Sequence, residues 1–340
     1  MANLSVIIPC YNNGKLLAEM LDCCLRQTYS DWEVIIVDDG STDDTSSIVS
    51  EYVQKDARIQ YHTRERSPKG SVVCRNIGFE LSSGKYIIHF DADDLISDTC
   101  FEKRVAFMDA NPQLDYASFP AVSYMDGDAL PKRTPLPSDY GVRKGDKPLL
   151  YYFLKADYPF SVWCNIYKRD SIKYIAWDEK VQIYTDFSYI VPCILQGLRH
   201  DFCKMNEFDY FYRQFRKGTN MCSSFISEEK CASTIYLFSG ICNRIKEKYP
   251  SNIAYLKAFR QFHLLHYERL MESMNERNVK DFLKYMRNHF SWWTVARMKQ
   301  IYLGSKQFSN PRIRKGVQYL GLGLLFTNKR YLKAILSYFI

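Results

Sequence analysis

The 340-residue chain contains no apolar stretch approaching the roughly 20 residues that a bilayer-spanning helix needs. Its longest late run, Tyr319-Leu-Gly-Leu-Gly-Leu-Leu-Phe326, falls far short. The opening Met1-Ala-Asn-Leu-Ser-Val-Ile-Ile-Pro9 lacks a basic start ahead of a long apolar core, so no secretory leader and a cytoplasmic location are expected. The 11 cysteines include no C-x-x-C pair, which excludes zinc-type spacing and leaves them as small apolar core residues. A P-loop is missing. So is a G-x-G-x-x-G after the first apolar run, where Pro9-Cys-Tyr-Asn-Asn-Gly14 stands instead, and the common dinucleotide fingerprint is thereby excluded. There is no internal repeat and no low-complexity tract. Nor is there any acidic residue after Asp281.

What is present is ordinary globular composition, 46% hydrophobic and 25% charged, enough for one large domain or two smaller ones. The net charge of +8 is unevenly spread. From Lys230 onward 20 Lys and Arg face five acidic residues, about +15, which leaves the first 229 residues near −7. Such asymmetry predicts an anionic partner for the C-terminal region, either nucleic acid or a membrane surface. Trp292-Trp293 beside Lys284, Arg287, Arg297 and Lys299 suits a lipid headgroup layer, and equally an ordinary solvated basic face. No nucleic-acid-binding motif accompanies these residues, so nucleic acid is not expected.

Short apolar runs alternate with helical patterns over the first 125 residues. Leu4–Pro9, Trp32–Asp38, Ile59–His62, Tyr86–Phe90 and Tyr116–Val122 read as strands; Leu16–Arg26, Asp44–Tyr52, Val72–Leu81 and Phe101–Asp109 read as helices. Val34–Val37 and Tyr86–Phe90 are nearly continuous apolar, as strands buried on both faces require. Ser41-Thr-Asp-Asp44 resembles a capping box. This alternation predicts an α/β fold with a mostly parallel, doubly wound sheet, whose ligands sit beyond the carboxyl ends of the strands. Residues 125–160 show no regular pattern. Ser161–Tyr167 reads as a strand, Tyr184–Leu195 as a helix, Phe208–Phe215 as extended, and everything after Ser227 as helical. The expected domains are 1–226, divided into a nucleotide-binding half (1–125) and an acceptor-side half (126–226), and a basic helical region, 227–340.

Two acidic clusters end expected strands, Val37-Asp-Asp-Gly-Ser41 and Phe90-Asp-Ala-Asp-Asp94. In extended backbone Asp91 and Asp93 face the same way and repel unless a cation lies between them. Such hard oxygen ligands suit Mg²⁺ or Mn²⁺ holding a diphosphate. Either cluster alone is also consistent with helix caps and turns. Tyr11 places an aromatic at a strand end where a flat base could stack, and Arg75 and Asn76 open a helix where a cation could meet phosphate.

Taken together, Leu4-Ser-Val-Ile-Ile-Pro-Cys-Tyr-Asn12, Gln27-Thr-Tyr-Ser-Asp-Trp-Glu33, Val37-Asp-Asp-Gly-Ser-Thr-Asp43, Arg75-Asn-Ile-Gly78 and Gly84-Lys-Tyr-Ile-Ile-His-Phe-Asp-Ala-Asp-Asp94 resemble the family 2 glycosyltransferases of GT-A fold. All five blocks occur in order, at the family's spacing. The resemblance implies that Pro9 and Tyr11 contact the nucleotide base and Asp39 bonds its edge. Arg75 would lie near the nucleotide, Asp91 in the ribose or metal region, and Asp93 would be the metal-binding carboxylate of the D-x-D motif. It further implies a UDP-sugar donor, Mg²⁺ or Mn²⁺, transfer with inversion, and a carboxylate base.

For that base the resemblance points to Asp186 in Tyr184-Thr-Asp-Phe-Ser188, which follows Trp177-Asp-Glu179. Thr185 stands where relatives often carry Glu, and Asp186 could instead cap the following helix. In Tyr212–Thr219, Phe215 occupies the place of a frequent His; Arg213, Arg216 or Lys217 could take over its contact with phosphate. The processive Q-x-x-R-W signature is missing, so one sugar per encounter is expected. His263 and His266, without a carboxylate partner, are expected to be structural. The expected acceptor is a saccharide or lipid-linked saccharide, met at the inner face of the cell membrane by a peripherally bound C-terminus. The alternative is a nucleotide- or sugar-binding protein of the same fold without transferase activity.

Overall fold

The computed structural model of the chain describes residues 2–216, 227–273 and 275–307, with a few positions between 315 and 322. Two compact units result, one of residues 1–153 and 157–220, the other of residues 154–156 and 221–340.

The first unit begins β1 (Leu4–Cys10), α1 (Gly14–Leu25), β2 (Trp32–Asp38), α2 (Thr45–Lys55), β3 (Ile59–Thr63), α3 (Ser71–Leu81) and β4 (Tyr86–His89). Strands β3, β2, β1 and β4 lie side by side and parallel. Every residue of β1 and β2 is buried, as their continuous apolar runs require. Two of the polar exceptions satisfy one another: Ser5, opposite Glu33 in the register, donates its hydroxyl to that carboxylate at 2.6 Å. Gly78 lets α3 lie directly on β1, because a Cβ there would come within 2.4 Å of the Ile7 side chain. That close approach sets the position of Arg75 and Asn76.

After β5 (Leu95–Ile96) and α4 (Cys100–Ala110), the expected strand Tyr116–Val122 is two strands. β6 (Tyr116–Ser118) joins the large sheet, and β7 (Ala121–Met125) joins a second, three-stranded sheet. The break falls at Phe119-Pro120, where proline cannot donate to a ladder. The segment expected to be irregular contains α5 (Leu149–Leu154). Ser161–Tyr167 is likewise not one strand: Val162–Cys164 form a 3₁₀ turn, and only then does β8 (Asn165–Lys168) begin. The turn is held by buried Arg104, which donates to the Trp163 carbonyl at 2.9 Å and forms a bidentate pair with buried Asp209. α6 (Arg169–Ile172), α7 (Thr185–Gln196), β9 (His200–Phe202) and β10 (Tyr210–Gln214) complete the unit. The large sheet has the order β3-β2-β1-β4-β8-β6-β9, with β8 antiparallel to both neighbours; the small one has the order β5-β10-β7.

The second unit is helical, as its sequence predicts: α8 (Glu228–Lys248), α9 (Ile253–Ser273), α10 (Glu276–Met286) and α11 (Trp292–Ser305). Ser227, Asn275 and Ser291 cap three of these helices by accepting a backbone N–H three residues on. His263 and His266 are buried among aromatic rings, including Phe238 and Phe282. His263 Nδ1 lies 2.7 Å from the Phe259 carbonyl, which can only accept, so Nδ1 carries the proton and Nε2 accepts from the Tyr285 hydroxyl at 2.8 Å. Among the described residues no helix is long and apolar enough to cross a membrane. Ten cysteines are described, all free, and nine of them are buried, matching their expected core role.

Candidate active site

The carboxyl ends of β1 and β2 are stitched together. Asn12, in a left-handed conformation (φ 51°), donates its N–H to Ser41 Oγ at 2.9 Å and accepts the Thr42 N–H at 2.8 Å. Asp38 is consumed internally by Ser41 and the Tyr61 hydroxyl. Asp39 accepts Arg64 Nε at 2.5 Å and the Gly70 N–H at 3.1 Å, both on Oδ1, and the Cys74 thiol also bonds this carboxylate. Tyr11 is 45% exposed, and Lys69 Nζ sits 3.4 Å above its ring centre. Pro9 is buried within β1. No side-chain cap opens α2; Asp43 instead accepts the N–H and hydroxyl of Thr45, so the expected capping box does not form.

β4 ends at His89, and Ala92 and Asp93 form a turn, so the extended geometry expected for Asp91 and Asp93 is replaced by a tighter one. Each carboxylate of the turn has a different environment. Asp91 receives Arg75 Nη2, from a guanidinium buried beside the Trp177 indole. Asp94 is completely buried and accepts the Tyr210 hydroxyl and the Arg213 N–H, the latter at 2.7 Å. Asp93 is half-buried; burial first, and then the Asp91 charge, pushes its pKa up to about 6. Among the described residues no group of three or more His, Cys, Asp and Glu is gathered into a ready-made metal site. The donor set nevertheless fits a divalent ion. One carboxylate of the turn is neutralised by Arg75, while the other stays in a repulsive field that a cation would relieve, with further oxygen ligands left to a diphosphate.

Arg213 is engaged by protein groups on all sides of its guanidinium. Its Nε donates to the Asp93 carbonyl at 2.7 Å, and its two Nη atoms reach Asp126 and Glu19, each at 2.6 Å. Arg216 pairs with Asp128 at 2.7 Å, Phe215 is half-buried just beyond β10, and Lys217 lies outside the described residues.

Asp186 stands in the first turn of α7. The N-cap of that helix is the left-handed Tyr184 (φ 58°), and the Asp186 carboxylate is turned instead to the hydroxyl of Ser161 and to the Val162 N–H at 3.4 Å. Burial and then the Asp91 charge raise its pKa, while Ser161 and Arg75 oppose the rise. Asp91, Arg75 and Asp186 therefore share one electrostatic neighbourhood. Asn76 fixes the preceding segment: it accepts the Trp177 N–H at 2.9 Å and donates to the Trp177 carbonyl at 3.0 Å and to Glu179 at 2.9 Å. Trp177 in turn stacks on Tyr189 of α7 at 4.3 Å. Ser161, Tyr210 and the actual role of Arg213 leave no trace in sequence patterning, because each acts on a residue at least 25 positions away.

This mostly parallel sheet, with an acidic turn after its fourth strand, defines a GT-A-type fold. The chain belongs to glycosyl transferase family 2, whose description it matches over residues 5–176. It is 28% identical over 194 residues to an uncharacterized glycosyltransferase of Haemophilus influenzae, covering 57% of this chain and 72% of that protein. It is 40% identical over 110 residues to one of Rickettsia bellii, covering 32% of this chain and only 16% of that one. Among solved structures, S. aureus TarS 1-349 in complex with UDP-GlcNAc matches with a TM-score of 0.65 at 18% identity, covering 94% of this chain and 90% of that one. The mannosyltransferase PcManGT from Pyrobaculum calidifontis, in complex with GDP-Man and Mn²⁺, matches with a TM-score of 0.52 at 16% identity, covering 94% and 85%.

Proposed function

We propose that the protein transfers a sugar, with inversion and one unit per encounter, from a UDP-sugar to a hydroxyl of a saccharide or lipid-linked saccharide acceptor. The observation that carries this reading is the convergence of Asp91, Asp93 and Asp186 on one electrostatic neighbourhood beyond β4. A UDP-sugar donor is supported by the fold shared with TarS, which was solved with UDP-GlcNAc and with UDP.

Asp39 takes the edge of the base, and Tyr11 offers it a ring face, with Pro9 beneath in β1. Arg75 orients Asp91. Asp93, with Asp91 beside it, would hold Mg²⁺ or Mn²⁺, which when bound neutralises charge on the departing nucleoside diphosphate. Asp186 accepts the proton of the acceptor hydroxyl as that oxygen forms its bond to the anomeric carbon. The bond from the anomeric carbon to the diphosphate oxygen breaks, and its electron pair leaves with the diphosphate. Attack from the face opposite the leaving group gives inversion. Ser161 and Val162 occupy one Asp186 oxygen and leave the other for the proton. Burial and the Asp91 charge raise the pKa of Asp186 from its ordinary value, which makes it a stronger base.

The second part of the proposal places the protein peripherally on an anionic membrane surface. Trp292 and Trp293 are 62% and 74% exposed, and residues after Asp281 carry 11 Lys and Arg with no acid. Calorimetric titration with UDP, with and without Mn²⁺, followed by a hydrolysis screen of nucleotide sugars, tests the transferase reading. A chain that neither binds UDP nor hydrolyses any nucleotide sugar would contradict it.

A further inference from the structure

The first unit holds a cavity of about 400 Å³, within the size range of small-molecule sites. It opens beside β6 and β9, at the far end of the large sheet from β3. Four rings contribute to its lining, Tyr116, Tyr152, His200 and Phe202, and the loop Arg143–Leu149 forms its rim. His200 packs against Tyr116 at 4.5 Å and Phe202 at 4.7 Å, and burial holds its pKa down to about 3, so the ring is neutral. Gly145 allows the rim to close on Tyr152: a Cβ there would come within 2.6 Å of the tyrosine hydroxyl.

The charge balance decides what this cavity can take. Arg143 pairs with Asp201 at 3.0 Å and Lys144 with Asp157 at 2.6 Å, while Lys147 is followed on the rim by no excess of positive charge, since Asp146 precedes it. A phosphate gains little from so balanced a rim. Sugar hydroxyls both donate and accept, and the paired cations and carboxylates offer partners of both kinds. Exposed ion pairs of this sort exchange partners at small cost. Tyr152, His200 and Phe202 are partly exposed and supply flat apolar surface for the C–H face of a sugar ring, with fully buried Tyr116 packed against His200.

Its position relates it to Asp186. Pro159, in the lining, is two residues from Ser161, at most about 7 Å of extended chain. Ile194, also in the lining, follows Asp186 by eight residues of α7, about 12 Å of helical rise. We propose that this cavity is a saccharide subsite that holds a non-reacting unit of the acceptor while another unit reaches Asp186. The assignment to an acceptor rests on the transferase reading above.

The test uses the full chain, with maltose, cellobiose and chitobiose as probes in saturation-transfer NMR and UDP with Mn²⁺ as a parallel calorimetric titration. At least one disaccharide should bind, and Phe202→Ala and Lys147→Ala should each weaken it at least threefold with UDP affinity unchanged. Lys147 is exposed, so its variant keeps the test meaningful should Phe202→Ala fail to fold. UDP binding without any disaccharide binding, or disaccharide binding indifferent to both variants, would overturn the subsite. Disaccharide binding lost in the variants of a chain that ignores UDP would keep the cavity as a sugar site and remove the transferase reading.

Discussion

Arg213 holds the main-chain carbonyl of Asp93 through a 2.7 Å hydrogen bond from Nε, while its own N–H, at 2.7 Å, fixes the carboxylate of Asp94. One residue of β10 thus grips the acidic turn twice, and Asp126 and Glu19 anchor its two free arms. The guanidinium plane supplies this geometry, which a lysine ammonium cannot reproduce. Arg213→Lys should therefore weaken Mn²⁺-dependent UDP binding about tenfold, or 1.4 kcal/mol, and leave metal-free UDP binding unchanged. Calorimetry showing equal losses in both conditions would make Arg213 a support of the fold rather than of Asp93.

The two acidic clusters should separate by their metal dependence. Asp93→Ala is expected to abolish the increase in UDP affinity that Mn²⁺ produces. Asp39→Ala should weaken UDP with or without the ion, by roughly 1.5–3 kcal/mol for a lost hydrogen bond to a charged group. Unchanged UDP affinity in both variants would remove this assignment.

Asp186→Asn keeps the shape of the side chain but cannot accept the proton. Transfer should fall by about a hundredfold or more while UDP binding stays near normal. Because the pKa of Asp186 is raised, the wild-type rate should decline on acidification at a higher pH than an unperturbed Asp would give. An Asn variant with wild-type transfer would point to another carboxylate. Asp178, which accepts the Lys180 N–H, and Glu179, which is held by Asn76 and Arg66, are the next to test.

Acid should destabilise the helical unit early. His263 and His266 titrate near 6.5 once unfolded but only at about 3 in the fold, because burial disfavours the charged ring. Between those values the unfolded chain binds more protons, so stability is complete above about pH 6.5 and falls as pH drops below it. The loss should be on the order of 1–2 kcal/mol per ring by pH 5. Denaturant titrations at pH 7, 6 and 5 would show the midpoint falling; a flat midpoint would contradict the buried neutral state.

Membrane attachment should depend on both charge and the tryptophan pair. The full chain should sediment with anionic liposomes at low salt and be released as salt rises. Trp292→Ala with Trp293→Ala should reduce sedimentation severalfold while sparing UDP binding. Equal binding to neutral and anionic vesicles, or none to either, would leave the basic face as solubilising surface.

The parallel half of the sheet was legible in sequence because its strands are buried on both faces, so near-continuous apolar runs mark them whatever packs against them. Both acidic clusters were legible for a related reason, since strand ends in such a sheet are where polar residues meet ligands. Local pattern could not show that Tyr116–Val122 splits between two sheets, or that Ser161 begins a 3₁₀ turn rather than a strand. In the first case proline denies the ladder an N–H, and in the second buried Arg104 draws the Trp163 carbonyl out of strand geometry. The divergent environments of Asp91, Asp93 and Asp94 also emerge only in three dimensions. Arg75, Tyr210 and Arg213 reach those three neighbours from 16 to 120 positions away, and hydrogen bonds between such distant residues depend on how strands and helices pack, which no periodicity along the chain records.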